Sequence, residues 1–351
     1  MSLLFIISDE VNRRSLLPVL DIFIQNEYEC KILVNNYCMN FLKGYSKHFV
    51  NESDAMKLSW QFVISGNPIE KDKFKGRFVG VHHGSMFGNS AWSLYTARHS
   101  DIYFGLSPQE LPFIKHHLKD KFNEDKFIPS GNPANDYLID LSNSTPDLRT
   151  RKRKLLGLED KRTILLSSHW TSIGNLRRFG TGLLDALIWN FPNHQIICTC
   201  HPKLLTNPKS EFLVDRPVKT PHFDAHWLVN SLKAKQSNQV KVFLDEPKSA
   251  ELAFLSDIFI GDNSSLLAEA SLFKIPLIRS IGGVYFDKTI SKIISSATYE
   301  FENTEKLLET IKYVEDPTQI NKKMSEKIRE LFIYNIGSSA KTIFDSLTSM
   351  R

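Results

Sequence analysis

Four short stretches of this chain gather side chains able to move protons or hold phosphate. Val81-His82-His83-Gly84-Ser85 directly follows a strand-like run at 77–81. A histidine at a strand end can take a proton from an attacking hydroxyl near neutral pH. Adjacent histidines in an extended chain point opposite ways, so only one of the two faces a substrate, and a structural turn accounts for the pair equally well. Cys200-His201-Pro202-Lys203 ends a second strand candidate at 195–200. The His201 imidazole and the Lys203 ammonium both suit an anionic leaving group.

The third stretch, Asp257 to Ser265, runs from strand to loop to helix. Asp262, Ser264 and Ser265 fall where helix N-terminal amides are free, a setting that suits an anion but also ordinary capping. Glu269 lies one turn beyond Ser265 on roughly the same helix face, where a carboxylate can accept from ribose hydroxyls. The fourth stretch is Ser168-His169-Trp170-Thr171-Ser172-Ile173-Gly174-Asn175. Its small, donor-rich residues, Thr171 and Ser172 among them, can wrap phosphate or serve as a plain polar turn. No dinucleotide fingerprint, P-loop or tight carboxylate cluster occurs. Charge neutralisation is therefore expected from His, Lys, Ser and helix amides, with no cofactor and no obligatory metal.

The elements needed to position these residues alternate strand and helix. Strand candidates are 3–7, 31–34, 77–81, 101–105 and 127–130, with a helical spacing of apolar residues at 14–27. The pattern restarts at 163–168 and continues through a helix at 176–190, strands at 195–200, 240–244 and 257–260, a helix at 264–273 and a short strand at 277–278. Helical, charged segments follow at 304–313 and 322–348. Such alternation predicts parallel sheets with helices on both faces. Between the halves, 142–146 is rich in Ser, Asn, Thr and Pro, and Arg149, Arg151, Lys152, Arg153 and Lys154 follow. This basic run reads as a linker able to meet a membrane surface, or as a solvated helix face. The expected division is 1–145, a linker at 146–162, 163–330, and a C-terminal helix at 331–351 that returns toward the first domain.

A length of 351 residues suits two domains, and 42% apolar residues supply both cores. The formal charge of +5 suits an anionic substrate or acidic membrane surface and is too small to imply nucleic acid. Cys198 and Cys200 have no second cysteine pair at zinc-ribbon spacing, and four cysteines in all fit a reducing, cytoplasmic setting. No run approaches the length of a membrane span, and the N-terminus lacks a signal-peptide pattern.

Taken in order, the motifs resemble the CDP-glycerol glycerophosphotransferases, which build teichoic-acid-like and some capsular polymers. His83-Gly84 looks like that family's His-Gly loop. Gly131-Asn132-Pro133-Ala134-Asn135-Asp136 resembles its Gly-x-Pro-x-x-Asp segment, His201-Pro202 its phosphate-contacting pair, and Asp262-Asn263-Ser264-Ser265 its Asp-Tyr-Ser-Ser turn. The resemblance implies a GT-B fold, two Rossmann-like lobes with the active site in the cleft between them. It implies His83 as the base on an acceptor hydroxyl, and His201, Ser264 and Ser265 around the donor pyrophosphate. The implied partners are CDP-glycerol or a related CDP-alditol and a lipid-linked or polymeric saccharide acceptor, met at the inner membrane surface. Three departures stand out: Ser85-Met86-Phe87-Gly88 for Thr-Pro-Leu-Lys, Asn263 for Tyr, and Ser168-His169-Trp170-Thr171 for Pro-Thr-Trp-Arg. They keep a second reading open, a glycosyltransferase or epimerase of the same architecture using a UDP- or other nucleotide-sugar.

Overall fold

The computed structural model describes all residues except 71–72, 83, 89–90, 170–173, 202–224, 245–248, 282–286, 317, 319–322 and 351. The chain divides into two compact units, 1–139 with 331–351, and 140–330. Each is built on a six-stranded parallel sheet.

In the first lobe β1 (Ser2–Ile7), β2 (Glu29–Val34), β3 (Ser59–Ser65), β4 (Lys75–Val81), β5 (Ile102–Gly105) and β6 (Phe127–Pro129) lie in the order β2-β1-β3-β4-β5-β6. Leu3 pairs with Cys30 on one side and Phe62 on the other. Strands covered on both faces need continuous rather than alternating apolar runs. Leu3, Leu4, Phe5 and Ile7 are accordingly fully buried. Strand β3 is absent from the sequence reading, although Phe62-Val63-Ile64 carried the signal for it. The helix Glu10–Gln25 begins four residues before the expected start because the Asp9 side chain caps it, accepting from the Asn12 amide at 2.8 Å.

The C-terminal helix Ser339–Ser349 belongs to this lobe and buries Ile343 and Leu347. Phe344 packs on Phe23 at a ring separation of 4.8 Å. Its N-terminus is held by Asp136. One carboxylate oxygen accepts from the amides of Gly337 and Ser339 at 2.9 and 3.0 Å, the other from Ala340 at 2.9 Å. The segment at 131–136 thus serves as a helix dock, a use that its motif does not announce. Gly131 has φ +87, and a side chain there would run into the Tyr334 carbonyl.

In the second lobe β7 (Thr163–Ser168), β8 (Gln195–Cys200), β9 (Val240–Phe243), β10 (Ile258–Gly261), β11 (Leu277–Ser280) and β12 (Tyr299–Phe301) lie in the order β12-β11-β10-β7-β8-β9. Numbered within the lobe this is the 3-2-1-4-5-6 order of dinucleotide-binding sheets, read from the other edge. The three-residue edge strand β12 was also unforeseen, too short to leave a pattern. Cys198 and Cys200 both face the core, as their spacing in a strand requires. The helix expected at 176–190 is broken into Asn175–Phe179 and Gly182–Asn190, with Gly180 at φ +65 between them.

The basic stretch after 145 contains the helix Pro146–Leu155, and much of its charge is used internally. Arg149 pairs with Asp257 at 2.8 Å and Lys152 with Glu251 at 3.0 Å. Arg153 is buried and donates to Thr163 and to the carbonyls of Leu255, Glu159 and Lys161. These cations hold the helix to its own lobe. Two helix-flanked parallel sheets of this kind are the two Rossmann-like lobes of a GT-B fold. Among the described residues no helix is long and apolar enough to cross a membrane.

Candidate functional site

In open parallel sheets ligands bind beyond the carboxyl ends of the strands, where the strand order reverses. In the second lobe that point lies between β7 and β10. Asp262 leaves β10 there with 1% of its surface exposed. Its Oδ2 accepts from the backbone amides of His169 at 2.7 Å and Asn175 at 3.3 Å. One carboxylate oxygen therefore ties together both ends of the turn that leaves β7. Gly174 makes this return possible, since a side chain there would collide with the His169 carbonyl. Ser168 Oγ accepts from Leu176 N at 3.0 Å, and Asn175 Nδ2 donates to the Ser167 carbonyl at 3.1 Å.

Three polar atoms around this knot are buried without a well-aligned hydrogen bond, Asp262 Oδ1, Asn175 Oδ1 and Ser264 Oγ, although the Ser264 hydroxyl lies close enough to the Asp262 carboxyl to act on it. Buried polar groups are almost always paired, so three orphans in one place call for a missing partner. Burial raises the Asp262 carboxyl to about 6, against the lowering effect of the backbone amides and the neighbouring Ser264 hydroxyl. A carboxyl poised there can meet a ligand either as acceptor or as donor.

His201 follows β8, and its amide donates to the Ser168 carbonyl at 2.9 Å. Its ring meets that of His169 edge-on, with centroids 5.5 Å apart. The pairing of Ser168 with Cys200 in the sheet explains the meeting, because each histidine is the next residue past the ladder. His169 was seen in the sequence only as part of a polar turn, and its identical position after a neighbouring strand was the signal that marks it.

Ser265 opens the helix Ser265–Ala270, which also carries Glu269. This helix has six residues, and the Ser264 amide is already engaged with the Asp262 carbonyl at 2.8 Å. Asn263 stands where the resemblance calls for tyrosine. Its Oδ1 accepts from Arg279 Nη1 at 2.7 Å. Arg279 is itself 6% exposed and further held by Thr298, Ser295 and Glu300. The departure at Asn263 thus has a structural partner, an arginine at the end of β11 that anchors the loop. Nothing in the spacing of the sequence linked the two. His83, Thr171, Ser172 and Lys203 lie outside the described residues.

In the first lobe the strand order reverses between β1 and β3. Asn67 spans that point, donating to Ser8 Oγ at 2.8 Å and Asp9 Oδ2 at 3.0 Å. After β4, His82 Nδ1 lies 2.8 Å from Glu110 Oε1 and 3.0 Å from the Tyr103 hydroxyl, all fully buried. Glu110 Oε2 also accepts from the Leu106 amide at 2.6 Å. Of the two neighbouring histidines, His82 is therefore the inward one, fixed by a buried carboxylate. Next to it Asn132 Nδ2 donates to the Gly84 carbonyl at 2.7 Å, and Asn135 Nδ2 to Ser85 Oγ at 3.0 Å.

No protein-family model matches the chain, and no curated protein matches it. Solved structures do. The wall teichoic acid polymerase TagF, in a form soaked with CDPG, superposes with a TM-score of 0.64 at 14% identity over 99% of this chain and 88% of its own. The UDP-GlcNAc 2-epimerase of Neisseria meningitidis bound to UDP-GlcNAc gives 0.64 at 14% identity over 99% and 100%. A glycosyltransferase of Rickettsia africae ESF-5 gives 0.58 at 15% identity over 99% and 98%. At these identities the likeness is one of fold, and the fold is GT-B.

Proposed function

We propose that this chain is a GT-B enzyme acting on a nucleoside-diphosphate-activated sugar or polyol, held by the second lobe. The observation that carries the reading is the set of orphaned atoms Asp262 Oδ1, Asn175 Oδ1 and Ser264 Oγ at the reversal between β7 and β10, beside the paired rings of His169 and His201. Serine donates to phosphate oxygens, and the carboxyl and carboxamide oxygens accept from hydroxyls or amides of the donor. Lys203, Thr171, Ser172, Ser265 and Glu269 complete the proposed donor set, and His83 is the proposed base.

A nucleotide-sugar is the leading donor. The similar structures include a sugar-nucleotide epimerase in complex and a glycosyltransferase. Asn263, locked to Arg279, also departs from the tyrosine of the glycerophosphotransferase turn. In glycosyl transfer the acceptor oxygen bonds to the anomeric carbon, the carbon–oxygen bond to the diphosphate breaks, and the nucleoside diphosphate leaves with its electron pair. The acceptor proton passes to the base. A histidine and a lysine by the diphosphate would stabilise the charge that develops there.

The second reading is transfer of a glycerol-phosphate or related unit from a CDP-alditol, favoured by the ordered motifs at His83, Gly131–Asp136, His201 and Asp262–Ser265 and by the likeness to TagF. There the acceptor oxygen attacks the distal phosphorus and CMP leaves. In that case a lipid-linked or polymeric glycan is the acceptor, met by peripheral contact with the cytoplasmic face of the membrane.

A thermal-shift panel of UDP-GlcNAc, other UDP-sugars, CDP-glycerol and CDP-ribitol tests both readings. A shift with one donor class, lost in His201→Ala and Ser264→Ala, supports the corresponding reading. Full response to every donor in both variants, or no response to any, would remove the site from the second lobe.

A further inference from the structure

The first lobe buries a histidine–carboxylate pair, His82 and Glu110, whose side chains have no exposed surface. Glu110 opens the helix Glu110–Leu118, and three donors converge on it. His82 Nδ1 and the Tyr103 hydroxyl lie 2.8 and 3.0 Å from Oε1, and the Leu106 amide donates to Oε2. Burial and the Glu110 charge raise the Tyr103 hydroxyl well above its ordinary value, so it keeps its proton and remains a donor. A carboxylate accepts and does not donate, so His82 Nδ1 carries a proton in this pair. Apolar side chains of similar size fill such a space without the cost of burying charge, so a pair of this kind points to a task other than stability.

The place of the pair in the chain defines that task. His82 immediately precedes His83, the proposed base. The His82 amide also donates to the Phe104 carbonyl at 2.8 Å, so both the backbone and the ring of residue 82 are tied down, to β5 and to the helix that follows it. The other side of the turn is tied as well. The Gly84 carbonyl accepts from Asn132 Nδ2, and Ser85 Oγ from Asn135 Nδ2, with Ser85, Asn132 and Asn135 all buried. His83 thus falls in sequence between two residues that are each held by buried hydrogen bonds. The asparagines are neutral, whereas the tie from His82 ends on a carboxylate, and such charge-assisted bonds are about twice as strong. A base must be held in its productive geometry to be effective, which rewards a stiff mounting.

We infer that Glu110 is a positioning residue which, acting through the ring of His82, holds the turn that carries His83. The inference rests on the proposed function for the role of His83, and it gives the two neighbouring histidines different tasks, one as a strut and one as the base. The Nδ1–H donor is the part of His82 that the strut requires. Asparagine, whose Nδ2 reaches the same point, can supply it, and leucine cannot.

The test uses the full chain and compares Glu110→Gln, His82→Leu, His82→Asn and His83→Ala with wild type, each checked for folding by circular dichroism. Hydrogen exchange of the backbone amides from 83 to 86 needs no substrate. It should quicken about tenfold or more in Glu110→Gln and His82→Leu, the effect of losing a charge-assisted bond, and stay near wild type in His82→Asn. Release of UDP from UDP-GlcNAc and of CMP from CDP-glycerol then reads the reaction. In Glu110→Gln and His82→Leu kcat should fall about tenfold to a hundredfold at unchanged donor KM, the mark of a displaced base rather than a damaged donor site. His82→Asn should keep most of the turnover that His83→Ala loses. A His82→Asn protein as inactive as His83→Ala would make His82 itself a proton carrier and overturn the inference. Wild-type exchange and turnover in Glu110→Gln would overturn it too. Where Glu110→Gln does not fold, the contrast between the leucine and asparagine variants decides. If wild-type protein releases neither nucleotide, the proposed function fails, and the exchange rates still decide whether Glu110 holds the turn.

Discussion

Asp262 Oδ2 lies 2.7 Å from the backbone nitrogen of His169, and this one bond joins the end of β10 to the turn that leaves β7. The carboxyl has two tasks that pull in opposite directions. It accepts two backbone amides, which favours the anion, and it is buried, which favours the neutral acid.

Burial wins, raising the group from 3.8 to about 6. Because the folded value exceeds the unfolded one, the stability it confers is complete below about pH 4 and is lost as pH rises through 6. That difference corresponds to about 3 kcal/mol. Asp262→Asn, which keeps an accepting oxygen and stays neutral, should remove this dependence. Urea unfolding of both proteins at several pH values between 4 and 7.5 checks it. Parallel stability curves would show that the carboxyl does not titrate in this range.

Replacing Asp262 by alanine has a different expected outcome. Both ends of the 169–175 turn lose their common acceptor, at a cost on the order of 2–3 kcal/mol. Nucleotide binding should fall with it, whereas Asp262→Asn should bind a diphosphate at pH 7.5 at least as well as wild type. Calorimetric titration with UDP and CDP separates the two. Equal binding by the alanine variant would mean that the turn needs no staple.

Arg279→Ala should unfold more easily by about 3 kcal/mol, because it leaves Asn263 and Glu300 without their shared cation. Lysine cannot supply the planar fork and should rescue only in part. Urea midpoints of the three proteins decide the matter, and a lysine variant as stable as wild type would assign the stabilisation to charge alone.

Asp136→Ala removes the carboxylate that accepts from three backbone amides at the start of the helix Ser339–Ser349. A helix cap is worth about 1 kcal/mol and a buried set more, so about 2 kcal/mol is expected. The effect should be visible as faster hydrogen exchange across 338–349. Protection equal to wild type in that helix would assign Asp136 to another role.

The four cysteines are buried, and burial pushes the Cys30 thiol up to about 12 and Cys198 higher still. All four should react with a thiol reagent such as DTNB only as the protein unfolds. A fast-reacting thiol in native protein at pH 8 would contradict this burial.

Much of the frame was legible in the residues themselves. Buried parallel strands need uninterrupted apolar runs, and Leu3–Ile7, Ile164–Leu166 and Ile196–Cys198 supply them, so the alternation of strand and helix identified two α/β lobes. Short strands such as Tyr299–Phe301 left no period to detect. The ends of the strands, rich in Ser, His, Asn and Asp, marked the candidate sites because polar side chains collect where a parallel sheet meets its ligands.

Tertiary structure decided which of those polar residues act on one another. His169 and His201 are 32 positions apart and become neighbours through the pairing of β7 with β8. Asp262 reaches His169 only because β10 adjoins β7, and Arg279 reaches Asn263 only because β11 adjoins β10. Asp136, part of a site-like motif, turned out to cap a helix some 200 residues away, and Asn12, an unremarkable residue in a charged stretch, ended up buried without a partner. Local composition sets which segments become strands and helices, since that depends on periodic burial along the chain. The partners of a buried polar atom depend on strand order and register, which bring together residues that no sequence period connects.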